Sequence, residues 1–120
     1  MKLESKFYNE LKRITPKIRW TRLENTSVLG TPDVLGYNSH QHFFTVELKV
    51  TKTNKVRLSP HQISFHILHP ENAFILVKTK AACRLYLGKQ VRELFACGLS
   101  LEPVACGWND TRLWLESLGQ

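Results

Sequence analysis

Two carboxylates and one ammonium carry the chemistry this sequence has to offer. Asp33 follows a proline, and after thirteen intervening residues Glu47 and Lys49 stand on either side of Leu48. Two carboxylates brought within a few ångströms cannot both stay ionised without a counter-charge. A hard divalent cation supplies that charge: Mg²⁺ takes oxygen ligands, typically one or two carboxylates with waters and substrate phosphate completing the octahedron. A lysine two residues along a strand from one carboxylate shares its face, where it can orient a water and stabilise charge growing on a phosphorane. Such a set suits metal-assisted hydrolysis of a phosphodiester. The plainer reading makes Glu47 and Lys49 a surface ion pair and Asp33 a turn cap.

The elements around these residues favour convergence. Gly30-Thr31-Pro32 reads as a turn that delivers Asp33 to the head of a short apolar run, Val34 to Tyr37. After a polar loop, Phe43 to Val50 alternates with period two, placing Phe43, Thr45, Glu47 and Lys49 on one face and Phe44, Val46, Leu48 and Val50 on a core face. Upstream, Leu3, Phe7, Leu11 and Ile14 fall at helical spacing and predict a helix from residue 3 to about 15, stopped by Pro16. Lys17 to Glu24 predicts a strand, closed by the turn formers Asn25-Thr26-Ser27. Downstream, Ser59 as N-cap and Pro60 as first residue predict a helix to about His69. Ala73 to Lys78 reads as a buried central strand, and Arg84 to Leu87 as an edge strand. Lys89 to Cys97, ended by Gly98, and Asn109 to Leu118 read as helices. The order is helix, three strands, helix, two strands, then helices. That is an α+β fold with a central mixed sheet flanked by helices, in a single domain over residues 1–120.

Pro32-Asp33 followed by Glu47-Leu48-Lys49 resembles the signature of the PD-(D/E)XK nuclease superfamily, with Leu48 as the variable position. The likeness extends over roughly residues 3 to 80 and is greatest to its small members, the VRR-NUC-type nucleases and the Holliday-junction resolvases of archaea and phages, which open the motif with a similar Gly-x-Pro-Asp turn. The resemblance implies an αβββαβ core of the restriction-endonuclease type. It also implies Asp33, Glu47, Lys49 and Gln62 as catalytic residues, and Mg²⁺, with Mn²⁺ as a substitute, held by Asp33, Glu47 and the backbone carbonyl of Leu48. A glutamate of the first helix often joins that centre in the family. Glu4 matches it better than Glu10, and a solvated helix carboxylate is the competing reading for both.

Composition points to the partner. Lys and Arg outnumber Asp and Glu by 17 to 10, giving a net charge of +7 that suits a polyanion. DNA is the expected partner, with RNA left open. No apolar run approaches the ~20 residues of a membrane span, and no basic amphipathic helix with a broad apolar face is present. Arg19 and Arg22 in the early basic cluster, and Lys52, Lys55 and Arg57 in the loop directly after the glutamate strand, are the candidate phosphate contacts. Trp20 between those arginines reads as core rather than a stacking platform. Gln62, His66 and His69 share a helical face, a spacing that can hold a metal but more often marks core or exposed histidines. Three cysteines without CxxC spacing read as reduced thiols of a cytoplasmic protein. The apolar residues Leu113, Trp114, Leu115 and Leu118 suggest a homodimer interface, or a helix covering its own sheet. The sequence thus reads as a Mg²⁺-dependent endonuclease acting on DNA, with branched junctions as a candidate substrate. The alternative is a nucleic-acid-binding module that keeps the fold without the catalysis.

Overall fold

The structure, a computed structural model, describes residues 3–23 and 29–120. Helix α1 (Leu3–Ile14) leads into β1 (Arg19–Arg22), β2 (Val34–Tyr37) and β3 (Phe43–Val50). Helix α2 (Pro60–Leu68) crosses to β4 (Ala73–Lys78) and β5 (Cys83–Leu87), followed by α3 (Val91–Cys97), β6 (Ala105–Cys106) and α4 (Trp108–Glu116). The six strands form one sheet in sequence order. All neighbours are antiparallel except β3 and β4, which run parallel because α2 carries the chain back across the sheet between them.

Helices cover both faces. On one, Phe7, Tyr8 and Leu11 of α1 and Leu115 of α4 pack against Val34, Phe44, Val46, Leu48, Phe74, Leu76 and Leu85. On the other, Ile75, Val77 and Tyr86 meet Val91 and Leu94 of α3, with Ile63 of α2 at the margin. The α+β mixed-sheet expectation therefore holds. The alternation expected for β3 holds too, but its second face is closed at Glu47, which lies beneath α2 and is only 2% exposed.

Some boundaries differ from expectation. The first strand spans Arg19–Arg22 only, because Lys17 and Ile18 complete a turn in which the Ile18 N–H donates to the Thr15 carbonyl. Leu23 already lies beyond the strand, its N–H donating to the Asp33 carbonyl at 2.9 Å, and Glu24 with the expected turn at Asn25-Thr26-Ser27 lies outside the described residues. Strand β5 is not an edge, since two-residue β6 pairs outside it, too short to announce itself by periodicity. Trp20 is the core residue expected, packed edge-on to Phe44 and donating its indole N–H to Thr15 Oγ1 at 2.8 Å.

Candidate active site

Strand ends place the acidic pair. The β2–β3 ladder stops at Val34 opposite Val46, so the next residues out, Asp33 and Glu47, face each other where the sheet opens. Beyond that point Leu48 has no ladder partner on the β2 side. Its N–H donates instead to Asp33 Oδ2 at 2.7 Å, which fixes the aspartate. Backbone groups of one strand residue leave along the same edge, so the Leu48 carbonyl also heads to the Asp33 side.

The turn before Asp33 has a physical requirement. Gly30 has φ of +84°, and a side chain there would meet the His61 carbonyl oxygen at 2.3 Å. Only glycine lets this turn lie against the first turn of α2. That contact brings the aspartate loop to the helix end that carries Gln62.

Gln62 joins the helix cap to the site. Its backbone N–H donates to Ser59 Oγ at 3.1 Å, and its Oε1 accepts from the Ser59 N–H at 3.0 Å, a reciprocal capping box. The same Oε1 accepts from Lys49 Nζ at 3.0 Å, and Nε2 donates to Glu47 Oε2 at 3.0 Å. Lys49 Nζ lies 3.7 Å from that carboxylate oxygen. Ser59 as the cap follows from the sequence, whereas its link through Gln62 to Glu47 shows only in the structure. The Ser-x-x-Gln spacing was the available signal.

Glu47 is held unlike a surface acid. Burial, then the charge of Asp33, push its pKa up to about 8, with Lys49 opposing. Its second oxygen, Oε1, is buried with no hydrogen-bond partner. Protonated, the group can share its proton with Asp33; ionised, it needs a cation to meet that oxygen. The donor set of two carboxylates with the Leu48 carbonyl is all oxygen and fits a hard divalent cation.

The other sequence candidates distribute unevenly. Glu4, Lys52, Lys55 and Arg57 line a cleft of 390 Å³ together with Lys49, so the basic loop adjoins the lysine of the site. Glu4 reaches the cleft but not the carboxylate pair: among the described residues no three His, Cys, Asp or Glu side chains converge on one point. Glu10 is committed elsewhere, accepting from Lys78 Nζ and from the Trp108 indole at 3.2 Å. Arg22 lies at the site end of β1, its guanidinium donating to Ser5 Oγ at 3.2 Å and lying 5.5 Å from the Tyr8 ring centre. Arg19, three residues earlier, sits at the far end of the strand. His66 and His69 do not form a metal pair. His66 is fully buried and His69 stacks on Phe65 with ring centres 4.2 Å apart.

Comparison with solved structures finds this architecture elsewhere. Archaeoglobus fulgidus Hjc, a Holliday junction resolvase from an archaeal hyperthermophile, superposes with a TM-score of 0.59 at 17% identity, over 74% of this chain and 75% of that one. The fold is resolvase-like. No family model and no curated protein sequence matches the chain. Among the described residues no helix is long and apolar enough to cross a membrane. Cys83, Cys97 and Cys106 are all free thiols.

Proposed function

We propose that the protein is a divalent-metal-dependent endonuclease that hydrolyses phosphodiester bonds in DNA, with branched structures such as four-way junctions as its preferred class. The observation that carries this reading is the Glu47 carboxyl: buried beside Asp33, tied on one oxygen by Gln62 and bare on the other. Two acids are held against each other there, and a hard divalent cation is the counter-charge that lets both ionise.

In this reading Asp33, Glu47 and the Leu48 carbonyl hold Mg²⁺, or Mn²⁺ in its place. When bound, the cation supplies a water of lowered pKa and polarises the scissile phosphate. The chain's own residues do the rest. The Leu48 N–H keeps Asp33 aimed at the shared space. Gln62 fixes the rotamer of Glu47 and presents Lys49 beside it. Lys49, with a side chain 19% exposed, can donate to an attacking water or to a phosphate oxygen as charge develops there. Lys52, Lys55 and Arg57 line the adjoining cleft as contacts for the DNA backbone. A junction requires two cuts and each chain offers one site, so the working unit is a homodimer in this reading.

Nicking of supercoiled plasmid and cleavage of a four-way junction with Mg²⁺ or Mn²⁺, against EDTA, tests it. Metal-dependent nicking that vanishes in Asp33→Asn is the expected result. Tight DNA binding by wild-type protein with no cleavage in either metal would establish a binding module instead.

A further inference from the structure

The face of the sheet that carries Asp33 and Glu47 continues away from them. Directly opposed residues of antiparallel strands point to the same side, so the register builds successive rows on this face. Asp33 and Glu47 make the first, Thr21, Leu35 and Thr45 the second, and Arg19, Tyr37 and Phe43 the third. The third row is unusual for a surface. Phe43 is 58% exposed, Arg19 is exposed, and the Tyr37 ring lies 4.4 Å from that of Phe43 at a tilt of 40°. The apolar alternates of these strands, Val34, Phe44 and Val46, point into the core on the other side, so Phe43 is not needed to fill it.

We propose that Arg19, Tyr37 and Phe43 form a stacking platform for an unpaired base of the substrate, on the same strand that presents its phosphate to Asp33 and Glu47. The inference rests on the nuclease reading of that site and adds a substrate class: DNA with single-stranded or splayed nucleotides beside the cut. Three observations meet here. A phenylalanine 58% exposed offers ring surface on which any base can stack. An arginine in the same row offers a phosphate contact or a guanidinium plane, on a chain with net charge +7. The row is also continuous with the carboxylates. Four residues of strand separate the rows, or about 14 Å at ~3.4 Å per residue. A stacked strand covers that distance in about four nucleotides, and an extended one in fewer.

The test is binding of the full-length protein in EDTA to a blunt duplex and to the same duplex with an eight-nucleotide single-stranded extension containing 2-aminopurine. Wild-type protein should prefer the extended duplex, with a change in 2-aminopurine fluorescence on binding. Phe43→Ala should weaken binding of the extended duplex roughly tenfold and abolish the fluorescence change, while Phe43→Trp restores both. The exposure of Phe43 makes these variants compatible with folding, which circular dichroism checks. No preference in wild type, or a preference and fluorescence change undiminished in Phe43→Ala, overturns the platform even if the protein nicks plasmid. Retained preference with no nicking in any metal overturns the catalytic reading and leaves the platform standing.

Discussion

Gln62 Nε2 donates to Glu47 Oε2 at 3.0 Å while the Gln62 Oε1 closes the cap of α2, so one side chain ties the start of a helix to the buried acid of the site. Losing it should therefore cost two things at once. Gln62→Ala should lower stability by about 1 kcal/mol through the cap and reduce kcat by freeing Glu47 and Lys49. Ser59→Ala should cost a similar stability but leave kcat nearer wild type. Chemical denaturation paired with nicking rates separates the two effects; equal activity losses in both variants would make Gln62 a cap alone.

Glu47 sets a pH dependence whose sign follows from its burial. Its pKa rises from 4.5 to about 8 in the metal-free fold, so the folded state binds a proton that the unfolded state has released. Stability from this group is greatest below about 4.5 and is lost as pH rises towards 8. Glu47→Gln removes that loss. Without metal, Glu47→Gln protein should melt above wild type at pH 8–9, with the difference shrinking at pH 5, and should not cleave DNA. Metal affinity of the wild type should rise with pH over the same window, as calorimetry would show.

His66 produces an opposite limb. It is fully buried, neither ring nitrogen has a hydrogen-bond partner, and desolvation, with His69 and Lys49 charges behind it, lowers its pKa from 6.5 to about 4. The unfolded chain takes up the proton first, so stability present above 6.5 is lost as pH falls towards 4, by about 3 kcal/mol in the limit. His66→Leu leaves no unsatisfied polar atom and should flatten this limb. Melting temperatures between pH 4 and 7 check it, and an unchanged acid limb would assign it to other groups.

The strand carrying Glu47 and Lys49 was legible from sequence because its cues were local. A period of two from Phe43 to Val50 and the Ser59-Pro60 start of α2 both depend on near neighbours, and both appear in the structure. What stayed hidden depends on contacts between distant segments. The burial of Glu47 comes from α2 lying over the strand, and Gly30 reveals its packing on His61 only in three dimensions. The place of Glu4 in the cleft beside Lys49, without a three-carboxylate cluster among the described residues, also shows only in three dimensions. Strand β6 was missed because two residues carry no period.

The basic loop makes a prediction about salt. Lys52, Lys55 and Arg57 line the cleft next to Lys49, and if they neutralise phosphates their contribution appears as counterion release. With about six contacts in all, affinity should fall by about a thousandfold between ~50 and ~200 mM salt. Lys52→Ala with Lys55→Ala should reduce the slope of log affinity against log salt by about two. An unchanged slope would show that the loop is merely solvated.

The last helix sharpens the question of assembly. Leu115 is fully buried and Leu118 packs on the same core, so half of the apolar surplus expected for an interface serves the chain's own sheet. Leu113 and Trp114 remain outward, 50% and 37% exposed, beside Val104 and Ala105 at the β6 edge. A short edge strand flanked by an exposed leucine and tryptophan suits a two-fold contact, in which each residue meets its own symmetry neighbourhood. Leu113→Glu with Trp114→Ala should shift a micromolar solution from dimer to monomer in light scattering, without unfolding, because neither side chain fills the core. The same variant should still nick plasmid but lose paired cuts on a four-way junction, since the two sites no longer arrive together. A wild-type monomer with and without junction DNA, cutting duplex as readily as junctions, would remove the two-fold assembly and leave the site chemistry of Asp33 and Glu47 as it stands.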